Sequence, residues 1–329
     1  MQTTLLTAVL LVVAAPVVAQ QPRLLVAQKG LASLGIVDPS TGVVTASVAE
    51  GGVTGHEVAA SPDGRRAYVP IYGDSGVDKP GTDGRALVVI DIATEKVAGR
   101  MDFGHGVRPH CPVFGPKDGL LYVTTELDKT VSILDPATLK IVGTIPTSQS
   151  SSHMLAISHD GRLGYTANVG PGTVSVLDLQ ARTLLKVIPI SSNTQRIAIS
   201  MDDRWVFTAD QAQPRIAVID TAKNEVVRWI PLEGIGYGSA PTPDGRWLLI
   251  AVPDKNAVAV VDLKTMTVAR TIEVGKSPQE VIIRPDGKLA FVSCIGSHQV
   301  AEIDLRSWQT RRYFSTGLGT DGLAWARGK

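Results

Sequence analysis

The sequence predicts an all-β chain of repeated four-stranded units closed into a seven-bladed β-propeller, and three observations carry that prediction. A turn element recurs as Ser61-Pro62-Asp63-Gly64, Pro116-Lys117-Asp118-Gly119, Ser158-His159-Asp160-Gly161, Ser200-Met201-Asp202-Asp203, Thr242-Pro243-Asp244-Gly245 and Arg284-Pro285-Asp286-Gly287; from Asp118 to Asp286 its aspartates step by 42. A second element, an apolar run closed by Asp, ends at Asp38, Asp91, Asp135, Asp178, Asp220, Asp262 and Asp304, seven copies in all. The two ends are complementary: Arg23 to Gln28 begins where a unit's second strand belongs, whereas 320–327 has the pattern of a first strand with no successor. A single four-stranded unit cannot bury both of its faces, so such repeats must stack. Complementary ends select a closed ring over an open solenoid, which would need polar caps.

Taken in chain order, residues 5–19 form a short apolar run ending Val17-Val18-Ala19, a small-residue pattern suited to signal-peptidase cleavage before Gln20. Residues 1–19 are therefore expected to be a signal peptide and 20–329 a single propeller domain, exported to the periplasm or the extracellular space. That run is too short to span a bilayer comfortably, and no later segment approaches 18 apolar residues, so no transmembrane span is expected in the mature chain. Within each repeat four short strands follow, for example 280–284, 290–293, 300–303 and 309–314, separated by Gly, Asp or Pro turns. Pro-Asp-Gly reverses the chain tightly: Pro presets φ, Asp bonds its own backbone and Gly accepts positive φ. The second Asp is usually followed three residues on by Thr or Ser, which suits another side-chain-stabilised turn. These aspartates are expected to be structural.

Composition narrows the partners. With 32 basic against 31 acidic residues and no Lys/Arg block, nucleic acid is not an expected partner. Cys111 and Cys294 have no CxxC spacing, so neither a zinc ribbon nor a disulfide scaffold is indicated and free, partly buried thiols are expected. No Gly-x-Ser-x-Gly elbow, phosphate loop or dinucleotide fingerprint is present, which removes the commonest hydrolase and nucleotide-binding routes. The five Trp fall mostly at strand positions and are expected to pack blades.

Through Ala59-Ala-Ser-Pro-Asp-Gly64 with Ala67-Tyr-Val69, and Leu121-Tyr-Val-Thr124 with Val131-Ser-Ile-Leu-Asp-Pro-Ala-Thr138, the chain resembles the YVTN-type or YncE-like β-propeller repeat proteins over nearly all of residues 23–327. The resemblance implies the fold and says little about function, since similar propellers serve as binding scaffolds, surface proteins, lactonase-like enzymes and cofactor-bearing domains. The departures from the repeat carry the rest.

The Asp63 to Asp118 step is 55, so 13 extra residues sit in one unit, mostly within 73–86. The resemblance places this insertion on the face where the innermost strands begin, the top face. Asp74, Asp78 and Asp83 could ligate calcium, but the spacing is not that of an EF-hand, and a solvated Gly-rich loop is expected. The second departure concerns histidine. Counted back from the turn Asp, one slot at the start of the innermost strand holds His56, His110 (one residue inserted), His153, Gln195, Tyr237, Gln279 and Asp321. In a closed propeller these first strands line the central channel, so the three histidines would converge near one mouth.

Two functions from different classes follow. The first is an exported binding or scaffold protein that presents a His-lined channel mouth to a small ligand, metal or protein partner. Arg108 and Arg196 beside the ring, with Asn168, Gln195, Tyr237 and Gln279, are its candidate ligand-binding residues. The second is a metal-dependent lactonase, other hydrolase, lyase or oxygenase. Its centre would be a transition metal (Zn, Cu or Fe) held by His56, His110 and His153, with Asp321 as a further ligand and Glu126 or Asp210 as base. The bland reading of the same slot is a wet channel lining. His105, His159 and His298 fall outside it and are expected in turns or on the surface.

Overall fold

A computed structural model describes residues 21–74 and 76–328; the expected signal peptide at 1–19 lies outside the described residues. Among the described residues twenty-eight strands form seven four-stranded antiparallel sheets arranged as the blades of a propeller, the predicted fold. Blades are counted from the N-terminus. Their inner strands are Thr320–Ala326 in the first, Ala59–Ala60 in the second, Pro109–Phe114 in the third, Ser152–Ile157 in the fourth, Thr194–Ile199 in the fifth, Ser239–Pro241 in the sixth and Pro278–Ile283 in the seventh. Among the described residues the only helical turns are of the 3-10 type, at Lys29–Leu31 and Pro253–Lys255, and no helix is long and apolar enough to cross a membrane.

The burial pattern follows from stacking. Second and third strands are covered on both faces by neighbouring blades, so Arg23–Gln28 and Ser33–Asp38 read as nearly continuous buried runs. Outer strands have one wet face and alternate, as in Val43–Ala49 and Gln309–Ser315. The tryptophans pack as expected: Trp247 meets Trp308 edge-on at 5.3 Å, and Trp325 stacks on Phe291 at 5.6 Å. Both cysteines are free and buried.

The aspartate turns are built as read. Ser61 Oγ donates to Asp63 Oδ1 at 2.6 Å and Gly64 adopts φ +73; the same Ser/Thr-to-Asp bond recurs at Ser158, Ser200 and Thr242. In the second turn type Asp91 Oδ1 accepts from the amide and hydroxyl of Thr94. The ring closes where Thr320–Ala326 pairs with Arg23–Gln28.

Two sets of β-bulges shape the blades. One lies at an equivalent point between third and fourth strands in all seven, for example Ile36/Val37 and Val260/Val261. The other interrupts the inner strand at the histidine slot: between Pro109 and Pro112, Ser152 and Met154, Gln195 and Ile197, Pro278 and Val281, and opposite Val26/Gln28 in the first blade. In the second and sixth blades the inner strand starts only after the slot. A bulge leaves its residue unpaired and re-aims the side chain. Two consecutive residues per blade can thus reach the channel, and this decides what the site contains.

Candidate functional site at the channel mouth

The predicted slot does bring the three histidines together. His110 and His153 stack face to face at 3.5 Å with 28° between planes, and His56 meets His110 edge-on at 5.6 Å. All three are buried. Tyr72, from the second strand of the second blade, packs against all three rings at 4.6–5.9 Å. Among the described residues no group of three His, Cys, Asp or Glu is arranged to hold a metal ion. Burial, reinforced by Lys29, His153 and Arg196 for His56 and by the other two histidines for His110, holds both imidazoles well below their usual range. They are neutral at physiological pH. His56 Nε2 and His110 Nδ1 are buried without a hydrogen-bond partner.

Glu126 sits just beyond the second strand of the third blade and is buried. Its Oε2 accepts from the Tyr72 hydroxyl at 2.9 Å, and its Oε1 pairs with His153 Nδ1. The other second-strand candidates, Asp210 and Asn168, do not line the mouth cavity and are bonded elsewhere. Asp210 Oδ2 accepts from Arg215 Nε at 2.8 Å and Oδ1 from the Ala212 and Gln213 amides. Burial alone would raise that carboxyl, but the bonds from Arg215, Ser191 and Ala212 outweigh it and hold it below the ordinary value. Asn168 is consumed by Ser152, Thr166, Thr173 and Ser175.

Arg196 occupies the axis itself. Its Nη1 donates to Glu57 Oε1 at 2.5 Å and Glu280 Oε2 at 2.7 Å, its Nη2 lies 3.7 Å from Asp321 Oδ1, and the guanidinium covers the Tyr237 ring at 4.6 Å. The fifth blade is thereby tied to the second, seventh and first. Arg196 adopts φ +61 inside its bulge, a left-handed conformation costly for any residue with a Cβ and kept because it aims the group down the axis. Burial opposes its charge, but Glu57, Tyr237, Glu280 and Asp321 more than compensate. Burial likewise raises the three carboxyls despite Arg196, pushing Glu57 up to about 8. Glu57, Arg196 and Glu280 form a second ring one residue beyond the histidine slot, and Asp321 and Tyr237 join them from the slot itself. Glu57 and Glu280 were not legible as site residues, because period-2 alternation turns them away from the channel; the bulge, or the late start of the strand, turns them back.

The inserted loop is solvent-exposed at 76 and 78–83, as expected, and it also folds back over the mouth. Arg108, buried at φ +48, donates through Nε to Asp83 Oδ1 at 2.6 Å and through Nη2 to the Lys79 carbonyl at 2.7 Å. Across the opening Asp78 accepts from Ser151 Oγ of the fourth blade, while Asp74 accepts the Thr82 amide. The three loop aspartates therefore point at different partners. Arg108 is a clasp for the loop. Arg108→Ala should lower the hydrogen-exchange protection of residues 76–84 while reducing global stability by only about 1–3 kcal/mol; unchanged protection would refute the clasp. Beneath the loop lies a cavity of about 370 Å³ whose lining includes Lys29, Lys79, His56, His110, His153, Gln195, Arg196, Tyr237, Gln279 and Asp321. His105 and His159 pair with Asp128 and Asp203 at the surface, and His298 is exposed.

Residues 114–243 match the family model described as the cytochrome D1 heme domain. No curated protein matches the chain significantly. Among solved structures, hydrazine synthase from Kuenenia stuttgartiensis is similar at a TM-score of 0.69, 18% identity, 82% of this chain and 89% of that one. A functionally unknown protein from Desulfotomaculum acetoxidans DSM 771 is similar at 0.77, 15% identity, 93% of this chain and 99% of that one. These likenesses agree on the propeller fold. The family match contains His153, Gln195, Arg196 and Tyr237 but stops short of His56, His110, Asp321 and the inserted loop. As arranged, the mouth does not fit a planar tetrapyrrole. His110 and His153 close on each other at van der Waals separation, and the clasped loop crosses the opening that a macrocycle would need.

Proposed function

We propose that this chain is an exported binding propeller, of the YVTN type, whose channel mouth receives a small anionic molecule. The observation that carries the reading is a pair of buried imidazole nitrogens without partners, His56 Nε2 and His110 Nδ1, on residues that line a 370 Å³ cavity with Lys29, Lys79 and Arg196. Buried polar atoms are rarely left unbonded, and a ligand that satisfies them gains those bonds and the two lysines at the rim, of which Lys29 also lies 4.0 Å from Asp321 Oδ2. The cavity volume lies in the range of small-molecule sites. The apolar run at 5–19 supports export.

The test is a thermal melt of untagged protein with small mono- and dicarboxylates, beside a Lys29→Glu/Lys79→Glu variant. A ligand at a hundred times its dissociation constant should stabilise the wild type by about 2.7 kcal/mol and leave the variant unmoved. Metal analysis and a visible spectrum accompany it. Absence of any carboxylate response, with one metal ion or haem per chain that is lost on replacing His56, His110 and His153 by alanine, would overturn the reading.

A further inference from the structure

We propose that His153 is a general base, held by Glu126 and Tyr72 so that its Nε2 faces the mouth cavity and activates water against a small carboxylic ester. The inference rests on the mouth being a ligand site. Glu126 cannot itself be the base, since one oxygen is engaged by the Tyr72 hydroxyl and the other by His153 Nδ1. A carboxylate accepting at Nδ1 fixes the tautomer with hydrogen there and leaves the lone pair on Nε2, the nitrogen remaining to a ring that lines the cavity. When Nε2 gains a proton, the buried imidazolium is paired at once with Glu126 and stacked on a neutral His110. The groups facing His153 are Glu126, Tyr72, His110 and His56, with Asp321 across the mouth.

Water is the nucleophile: among the described residues that line the cavity there is no Ser, Thr or Cys. Cys111 is the one thiol near the ring; its Sγ is directed at the Leu155 carbonyl, and burial pushes the group up to about 12. In the step, a water O–H bond breaks and its proton passes to Nε2. The freed electron pair forms a bond from the water oxygen to the carbonyl carbon, and the carbonyl π pair moves onto oxygen. His56 Nε2 and His110 Nδ1 are the unpartnered groups available to that oxygen, in the tautomers that carry hydrogen there. Collapse re-forms the carbonyl and expels the leaving oxygen, which takes the proton back from the imidazolium. The products are an acid and an alcohol.

Two measurements decide it. Nitrogen-15 imidazole NMR of the wild type should show His153 with hydrogen on Nδ1 and none on Nε2 at neutral pH; hydrogen on Nε2 would overturn the proposal without any variant. Wild-type protein should hydrolyse p-nitrophenyl acetate above the buffer rate. His153→Gln should lower that rate by about a hundred-fold or more, and Glu126→Gln, whose single amide oxygen cannot accept from both the Tyr72 hydroxyl and His153 Nδ1, should lower it too and loosen the His153 tautomer seen by nitrogen-15 NMR. A rate indifferent to His153→Gln, or a rate and tautomer both unchanged in Glu126→Gln, refutes the base. If small carboxylates bind but the ester is untouched, the base fails alone; if neither occurs, the ligand reading fails with it.

Discussion

Arg196→Met should destabilise the folded ring by about 3–5 kcal/mol, and the loss should widen as pH rises. The variant removes the cation at the centre of Glu57, Glu280 and Asp321 and leaves three buried carboxyls facing one another from the second, seventh and first blades. The sign follows from the direction of their shifts. Burial holds these carboxyls above their ordinary values, with Glu57 raised from 4.5 to about 8. The folded state therefore keeps the protons more tightly than the unfolded one, and the contribution from Glu57 is complete below about 4.5 and is lost as pH climbs toward about 8. Without Arg196 each carboxyl rises further, so the loss extends to more alkaline pH. Denaturant unfolding of both proteins between about pH 5 and pH 9 measures this. The gap should be smallest at the acid end, and adding Glu57→Gln to the variant should recover part of it. A variant that unfolds with the wild type at pH 8, or gains on it as pH rises, would show that the knot does not hold the blades.

The propeller was legible because its signals are local and repeated seven times: turn chemistry, apolar runs and strand length recur at a fixed step, so an ambiguous copy is corrected by the others. The histidine ring was legible for the same reason. The rest of the site was hidden by departures from periodicity. Glu57, Cys111, Arg196 and Glu280 follow the slot by one residue, and strand alternation assigns them to the opposite face; no residue type in the sequence announces a bulge there. Arg196 is placed beside the ring by its position in the repeat, as a candidate ligand-binding residue, and the carboxylates that receive it come from 139 and 84 residues away. Equivalence misled at the ends of the second strands. Glu126, Asn168 and Asp210 hold comparable positions, but Asp210 is claimed by its own turn and Arg215, and Asn168 by hydroxyls within its blade. Glu126 is met instead by Tyr72 from the neighbouring blade, a contact that depends on how two blades stack. The inserted loop was visible by length. Its direction was not, because the clasp needs Arg108 in a left-handed conformation at the foot of the next blade.

A chain ending at Gly319 should lose cooperative folding altogether. Strand Thr320–Ala326 is the inner strand of the first blade, hydrogen-bonded to Arg23–Gln28 from Arg23 opposite Ala326 to Gln28 opposite Thr320. Its removal turns Arg23–Gln28 into an open edge and uncovers part of a core in which Leu24, Leu25 and Val26 are completely buried. Full exposure of one such side chain costs about 1.5–3 kcal/mol, so the loss is comparable to a whole domain's stability of about 5–15 kcal/mol. The truncation also deletes Asp321 from the axial knot and the backbone bond from the Gly322 amide to the His56 carbonyl, which joins the closing strand to the second blade. Residue 322 must be glycine for that approach, since a Cβ would meet the His56 carbonyl at 2.5 Å. The effect is thus on closure as well as on one sheet. A circular permutant that begins at residue 320 and reaches Pro22 through a short linker restores the strand in the same place, and it should unfold in one transition near the wild type. A truncated chain that melts cooperatively within a few degrees of the full one would mean that six blades and three strands hold themselves closed, and that the complementary ends are a convenience of topology rather than the lock.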